Sequence, residues 1–315
     1  TMRGAAAPSR AARPAGPPMN DDDATSRPLP SGESTFDLRL GAARVRLAGL
    51  PAPWDAFVAP RYGAFAEQPG AAAPDLVVAC AQGPEGTIVP LPPPGGATVL
   101  EIERTAPRAF SIRSHWAEGT IDLDAGRGAL RLAGRAENHV AMSVENFLRV
   151  ACQLLAIERG MFLLHGAAVL DGGRAFLFFG PSGAGKSTAT AFSAPRPALS
   201  DDMALIDVSG AVPVARAVPF HMKFPPELRV RGAYPVAAAL RLRQAPEDRL
   251  EPLSPGRAVA TISASVPFVH ELGLPHEGLT ALVARFAAAT PAADLRFTKS
   301  ARFWELLGAA FPPAA

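Results

Sequence analysis

The sequence contains little cysteine, no long apolar stretch and no strong excess of charge. Its 315 residues include two cysteines, Cys80 and Cys152, without the spacing of a metal site or a redox pair, so we predict two core thiols and no disulfide. No uninterrupted apolar run reaches the ~18 residues of a membrane span, and the amino terminus lacks the apolar segment of a signal peptide. A net charge of only +2 provides no basic field for nucleic acid. We therefore expect a soluble, cytoplasmic protein with no nucleic-acid partner and no membrane partner.

The remaining composition, 48% hydrophobic and 19% charged, is enough for one large or two ordinary domains. Residues 1–34 are rich in Ala, Pro, Arg and Ser and contain few large apolar side chains, which predicts a disordered arm. Residues 35–139 consist of short runs that alternate apolar and polar residues, such as 36–40 and 119–123, a pattern typical of antiparallel strands. No catalytic constellation falls in this part of the sequence. We predict a mostly β amino-terminal domain that serves in packing or in substrate presentation.

Residues 140–315 form the predicted second domain, which begins with the clearest helical pattern of the chain. Apolar residues recur at helical spacing over residues 143–159, where Ser143 can cap the start and Gly160 can end the helix. Further helices are predicted over residues 255–264 and 278–288, and a last helix is predicted after Ser300, which can cap it. Further strands are predicted over residues 200–208, 237–243 and 294–298.

A complete phosphate-binding motif occupies residues 180–188. The stretch satisfies G-x-x-x-x-G-K-[ST], follows a short apolar run and precedes a segment that can start a helix. Its glycines allow the backbone N–H groups to converge on phosphate oxygens, Lys186 can reach the outer phosphates, and Ser187 can hold Mg²⁺. The alternative is a chance glycine-rich turn. The predicted nucleotide-binding residues are Gly180, Ser182, Gly183, Ala184, Gly185, Lys186, Ser187 and Thr188.

The strand that leads into this loop is predicted to belong to a hairpin. Two apolar runs, residues 161–170 and 175–179, flank the turn signal at residues 171–173. P-loop enzymes usually build a parallel sheet through helical crossovers. We therefore predict an α/β (α+β) fold in which the P-loop lies on an unusual mixed sheet.

Two adjacent carboxylates and one histidine complete the candidate catalytic set. Asp201 and Asp202 follow the P-loop, and His165 lies in the preceding hairpin. A hydroxyl acceptor needs a carboxylate that takes its proton, and the metal needs an oxygen ligand. One of Asp201 and Asp202 can be the base while the other supports the metal, and the sequence does not say which is which. Ser187 and Asp202 are the candidate metal ligands, and His165 is expected to lie near the aspartates and to orient or tune the base. On a strand the two would face opposite sides. The alternatives are a strand-entry turn for the aspartates and a structural polar residue for His165.

The order and spacing of His165, the P-loop and the aspartate pair resemble the carboxy-terminal domain of HPr kinase/phosphorylase and related kinases. The match covers residues 145–244, with further likeness at 147–156 and 234–244. The resemblance implies a phosphoenolpyruvate-carboxykinase-like fold. It also implies transfer of a phosphoryl group from ATP or GTP to a seryl hydroxyl.

The chain departs from HPr kinase/phosphorylase at residues 229–232, Arg-Val-Arg-Gly, where that family carries Glu-x-Arg-Gly. Glu227 lies one position out of register. Either this alignment is accidental or a metal ligand of that family is lost here, and both alternatives predict a forward kinase without phosphorolysis. It also makes kinases from peptide-modifying pathways the closer comparison.

We therefore expect a Mg²⁺-dependent kinase that uses ATP or GTP and acts on the hydroxyl of a peptide or protein serine. The alternative is a nucleotide-binding switch that hydrolyses slowly or not at all. A switch could dispense with a catalytic base, whereas a kinase needs the lysine, the metal hydroxyl and the base together. The acceptor, the choice between ATP and GTP and the formation of homo-oligomers are left open by the sequence.

Overall fold

The computed structural model describes residues 33–68, 72–93, 99–220, 223–269, 272 and 276–312. The predicted arm, residues 1–34, lies almost entirely outside the described residues. Those described form two mixed β-sheets and six α-helices. The broad prediction of a mixed α and β fold is confirmed.

The first sheet contains seven strands in the order β1-β2-β3-β7-β6-β5-β4. They are β1 Glu33–Leu40, β2 Ala43–Pro51, β3 Leu76–Gln82, β4 Leu100–Ala106, β5 Ala109–Ser114, β6 Ala117–Asp122 and β7 Arg127–Leu132. β3 pairs in parallel with β2 and β7, and the other pairings are antiparallel. The expectation of a mostly antiparallel region is confirmed. Helix α1, Ala52–Tyr62, was not predicted, because Pro60 within it is an unfavourable helix residue.

The second sheet contains eight strands and carries the P-loop. They are β8 Met161–Asp171, β9 Arg174–Phe179, β10 Ala198–Ser200, β11 Met203–Asp207, β12 Val214–Arg216, β13 Ala233–Gln244, β14 Arg249–Pro252 and β15 Ala292–Phe297. β9 pairs antiparallel with β8 through a turn at Gly172 and Gly173, whose φ angles are 57° and 74°. On its other side β9 is parallel to β13, which is in turn parallel to β15. The predicted hairpin and mixed sheet are confirmed.

Helix α2, Glu137–Ile157, lies between the two sheets. It starts six residues before the predicted start, with Ala136 at the N-cap and no capping side chain. Ser143 is therefore a buried residue inside the helix, and its predicted role as the cap is wrong. The apolar pattern extends back to Val140, which favours the earlier start. Gly160, at φ 71°, lies just beyond the end as predicted. By length and composition α2 could span a membrane, but 78% of its most apolar window is buried in the fold.

One continuous apolar cluster joins the two sheets through α2. It includes Leu38 and Ile121 from the first sheet, Phe147 from α2, and Leu163 and Leu205 from the second sheet. Burying each of these large side chains stabilises the fold by about 1.5–3 kcal/mol. The proposed domain boundary at residue 139 lies within α2, and it stays a prediction.

The two cysteines lie in the protein interior. Cys80 and Cys152 are both buried and free, and burial raises the pKa of each thiol to about 12. The prediction of two core thiols is confirmed, and neither thiol is a nucleophile at neutral pH.

Four further helices complete the described fold: α3 Lys186–Ala191, α4 Pro255–Ser263, α5 His276–Ala289 and α6 Phe303–Ala310. α6 packs on the P-loop strand, where Phe303 and Trp304 make edge-on contacts with Phe178 at centroid distances of 5.8 Å. The predicted cap of this helix is wrong. The helix begins at Phe303, and the Ser300 hydroxyl instead accepts a long hydrogen bond from Arg302 N at 3.4 Å.

Candidate active site

The glycine loop connects β9 to α3 and has the backbone geometry that its motif requires. Gly180, Gly183 and Gly185 have φ angles of 145°, 79° and 105°, which other residues rarely adopt. A Cβ at Gly185 would also lie 2.7 Å from the Phe297 ring. Such conformations turn successive N–H groups into one concavity that binds anions. Since α3 has only six residues, we expect the nest to contribute more to anion binding than the dipole of α3 does.

Two side chains brace the loop. Gln244, the last residue of β13, donates from Nε2 to the Gly183 carbonyl at 2.9 Å. Lys186 Nζ donates to the carbonyls of Gly180 at 2.9 Å and Pro181 at 3.4 Å, so the ammonium lies over the loop. Burial lowers the pKa of Lys186 while the nearby charge of Asp202 opposes this effect. The partly buried ammonium can therefore exchange the carbonyl oxygens of Gly180 and Pro181 for the phosphate oxygens of a bound ligand.

A pocket of about 450 Å³ adjoins the loop and brings together four of the predicted residues, Lys186, Ser187, Asp201 and Asp202. Two of the three lysines in the chain, Lys186 and Lys223, line this pocket. The other predicted loop residues, including Ser182, Ala184 and Thr188, do not line it. The remaining lining residues are Arg61, Met142, Glu145, Asn146 and Arg149.

The two aspartates occupy the bend between β10 and β11, so their predicted place on a strand is wrong. β10 and β11 both pair with β8, with Ser200 opposite Ala168 and Met203 opposite His165. Between these two pairs the ladder is open at Asp201 and Asp202, just after a register shift between Ala198 and Ser200. Because Asp201 and Asp202 are outside a strand, their side chains do not have to point to opposite faces of the sheet. They lie in different environments.

Asp202 faces the pocket and is held ionised. Its Oδ1 lies 3.3 Å from His165 Nε2, and its Oδ2 accepts a hydrogen bond from Arg149 at 2.9 Å. The hydrogen bond with His165, followed by the charge of Arg149, lowers the pKa of Asp202 to about 2 although burial opposes the effect. The side chain is 39% exposed, so an incoming group can reach it.

Asp201 is turned into the fold and is only 9% exposed. Its Oδ2 accepts backbone N–H bonds from Lys223 at 2.7 Å and Phe224 at 3.2 Å. Its buried Oδ1 has no hydrogen-bond partner among the described residues, and burial raises the pKa of this carboxyl. Asp201 therefore tethers the 223–224 segment, while Asp202 is presented to the pocket.

Sequence reasoning missed a chain of charges that leads to Asp202. Arg149 donates to Glu145 at 2.6 Å as well as to Asp202, and Arg61 of α1 forms an ion pair with the other oxygen of Glu145. The side chain of Glu145 is only 7% exposed. An acid and a base four residues apart in an otherwise apolar helix were a usable signal. Arg61 offered none, since its helix was not predicted.

The oxygen donors at this pocket are suited to Mg²⁺. The Ser187 hydroxyl and the ionised Asp202 are hard oxygen ligands, and Mg²⁺ usually takes one or two such ligands together with phosphate oxygens and water. Within the described ranges, no group of three His, Cys, Asp or Glu side chains could hold a metal ion. A shared protein–phosphate site does not need such a group. The magnesium and nucleotide sites stay predictions.

Arg229, which the sequence analysis aligned with the acidic residue of the HPr kinase/phosphorylase motif, does not line this pocket. Its Nε donates to the Phe224 carbonyl at 2.7 Å. Since Asp201 accepts from Phe224 N, Arg229 and Asp201 support the same segment.

The comparisons with known proteins lead to a different family from the one that the motifs suggested. No curated protein matches the chain. A family model does match, over residues 131–311, and it is that of the SynChlorMet cassette protein ScmC. The predicted membership of an HPr-kinase-like family is therefore wrong, because the P-loop, the histidine and the aspartate pair are short motifs, and short motifs in a shared order do not define a family. The expectation about phosphorolysis relied on that membership and loses its basis. The ScmC match spans more than half of the chain, and the protein belongs to the SynChlorMet cassette protein ScmC family.

Proposed function

We propose that this protein is a Mg²⁺-dependent phosphotransferase that moves the γ-phosphoryl group of ATP or GTP to a hydroxyl, with a serine of a peptide or protein as the acceptor. One observation carries the proposal. Lys186, Ser187 and Asp202 line one pocket beside a P-loop, and His165 and Arg149 hold Asp202 in place. A phosphate binder, a metal hydroxyl and a proton acceptor are what phosphoryl transfer requires.

Each residue has a defined part in the proposed step. The loop amides and Lys186 bind the phosphates, and Ser187 would help to hold Mg²⁺, which would supply positive charge against the transferred group. The acceptor oxygen bonds to the γ-phosphorus while the bond to the β–γ bridging oxygen breaks and the nucleoside diphosphate leaves. The hydroxyl proton passes to Asp202 and is shared with His165, which contacts it. Asp201 takes no proton here, because its free oxygen is buried.

A pocket shared by several elements supports a peptide acceptor. The rim carries Arg61 from α1 and Met142 and Asn146 from α2, in addition to Lys223. Met142 is 36% exposed, so the rim offers apolar as well as cationic contacts to an extended chain. The family is described as a cassette protein, so the products of neighbouring genes are the first acceptors to test.

The second candidate is a nucleotide-binding switch that transfers no phosphoryl group. It is favoured by the low pKa of Asp202, because a carboxylate that holds its proton so weakly is a weak base. The shared contact with His165 favours the kinase instead.

As a finer description of the fold, we propose that the second sheet follows the phosphoenolpyruvate-carboxykinase-like arrangement of P-loop kinases. The pairing of β9, antiparallel to β8 and parallel to β13, supports this proposal. The mixed sheet is compatible with it.

The test separates binding from transfer. In a thermal-shift assay, Mg-ATP and Mg-GTP should raise the melting temperature of the wild type and of the surface control Arg127→Ala. They should not raise that of Lys186→Ala. Transfer of labelled γ-phosphate is then measured on peptides encoded by the neighbouring genes. Equal stabilisation of Lys186→Ala and wild type would remove the binding site from the proposal. Binding without transfer to any of these peptides, with only slow hydrolysis, would favour the switch.

A further inference from the structure

Three parallel strands end at the same edge of the second sheet. β9, β13 and β15 run in parallel, so the P-loop, residues 245–248 and residues 298–302 follow their carboxyl ends. Ligands of open α/β sheets bind outside the carboxyl ends of parallel strands. The acceptor pocket uses only the β8 side of the P-loop, where β10 and β11 contribute the aspartates. The β13 and β15 side of the same loop has no part in the proposed reaction.

A second cavity, of about 310 Å³, lies on that unused side. Glu247 and Asp248 from the β13–β14 connection line it, together with Thr298, with Arg302 directly before α6, and with Glu305 and Leu306 of α6. Its volume is at the lower end of the range for ligand pockets, roughly 300–1,000 Å³. A nucleoside without its phosphates fits a space of this size.

Direct contacts connect this cavity to the P-loop. Gln244, three residues before Glu247, donates to the Gly183 carbonyl, and Ala245 N donates to Phe297 O at 3.1 Å. Phe297 lies against Gly185 and directly precedes Thr298. The cavity walls are therefore fixed to the two loop glycines that surround the phosphate nest.

The walls of the cavity are also held in place from within. Asp248 Oδ1 accepts a hydrogen bond from Thr298 N at 2.5 Å, and the hydroxyls of Thr298 and Ser300 lie 2.9 Å apart. The first bond ties the β13–β14 connection to the segment after β15, and the second lies within that segment. A preformed cavity of this kind orders few groups on binding, which favours affinity.

We infer that this cavity binds the nucleoside of the phosphoryl donor; the inference rests on the proposed function. A nucleotide seated there extends its phosphates across the P-loop towards Lys186 and the acceptor pocket on the other side. The carboxylates of Glu247 and Asp248 accept hydrogen bonds from the ribose hydroxyls and from the amino groups of the base. The planar guanidinium of Arg302 can stack on the base. Adenosine and guanosine share this donor chemistry, and the experiment separates them.

The experiment compares Mg-ATP, Mg-GTP and Mg-tripolyphosphate by calorimetry on the full chain. Tripolyphosphate occupies the loop without a nucleoside. The wild type should bind one of the nucleotides at least about tenfold more tightly than tripolyphosphate, as expected for added charge-assisted hydrogen bonds. Glu247→Ala and Arg302→Ala, both at exposed positions, should lose about this factor for the nucleotide and leave tripolyphosphate binding unchanged. Glu103→Ala, an exposed glutamate of the first sheet, is the matched control.

The outcomes separate this inference from the proposed function. If both variants bind the nucleotides like the wild type while Lys186→Ala loses all three ligands, the nucleoside lies elsewhere and the cavity assignment is overturned. If the wild type binds tripolyphosphate as tightly as both nucleotides, the protein has no nucleoside subsite. If it binds none of the three, the proposed function fails and this inference fails with it.

Discussion

Replacement of Asp202 by asparagine should lower phosphoryl transfer far more than the same replacement of Asp201. In Asp202→Asn the carboxylate that faces the pocket is lost, and with it the proton acceptor of the proposed reaction. Removal of a general base lowers the rate by about a hundredfold or more. Nucleotide binding should persist, because the loop amides, Lys186 and the Ser187 hydroxyl are unchanged and the new amide still offers the metal one side-chain oxygen. Asp201→Asn should retain more than about a tenth of the transfer activity, since one oxygen of this carboxylate accepts backbone N–H bonds and the other is buried.

The stability changes follow from the contacts of each residue. Lowering the pKa of Asp202 from 3.8 to about 2 is worth ~2 kcal/mol in a site shielded from water. Because the side chain is 39% exposed, solvent screening reduces the stabilisation to about 1 kcal/mol. At position 201 an amide oxygen can still accept both backbone N–H bonds, and the amide removes a buried charge. Asp201→Asn should therefore change the free energy of unfolding by less than about 1 kcal/mol.

Single-turnover transfer of labelled γ-phosphate to the acceptor peptide gives the chemical rate, calorimetry gives the nucleotide affinity, and urea unfolding gives the stability. A hundredfold loss in Asp201→Asn with near-normal transfer in Asp202→Asn would reverse the assignment of the two carboxylates. Normal transfer in both variants would refute the kinase proposal.

Three further predictions concern the surroundings of the site. Arg149→Met should lower transfer by about tenfold with unchanged nucleotide affinity. It should destabilise the fold by only about 1–3 kcal/mol, because Glu145 keeps its ion pair with Arg61 and is not left as an unpaired buried charge. A loss of nucleotide affinity alone would contradict this role. The stability difference between wild type and Asp202→Asn should be complete above pH 3.8 and should disappear as the pH falls through about 2, since a lowered carboxyl pKa stabilises the fold only while the group is ionised. Urea unfolding at several pH values measures this difference. A difference that grows below pH 3.8 would refute the lowered pKa. Gly185→Ala should weaken Mg-ATP binding in calorimetry and cost about 1–3 kcal/mol of stability, because its backbone is left-handed and its Cβ would meet Phe297; a variant that binds normally would argue against the nest.

Local sequence signals predicted the hairpin and the loop because their causes are local. Gly172 and Gly173 set the turn, and the glycines of the P-loop set its backbone. His165 was grouped with the two aspartates in the candidate catalytic set, and the structure places His165 Nε2 3.3 Å from Asp202 Oδ1. The environments of the two aspartates could not be predicted, since they depend on where the ladder with β8 opens.

The rest of the site depends on contacts between distant parts of the chain. Arg61 reaches Glu145 across 84 residues, and no local pattern marks such a pair. The family was also beyond reach, since three short motifs are compatible with more than one family.

The position of α2 makes the two sheets inseparable. On one side, Phe147 fills the space left by the missing side chains of Gly119 and Gly128 in the first sheet. On the other, the fully buried Gln153 accepts a hydrogen bond from Leu163 N of β8 at 2.8 Å. A chain cut down to residues 131–311, the part that the family shares, would expose the side of α2 that Phe147 occupies and would be prone to aggregate. Hydrogen exchange of the α2 amides should therefore require both sheets to unfold together.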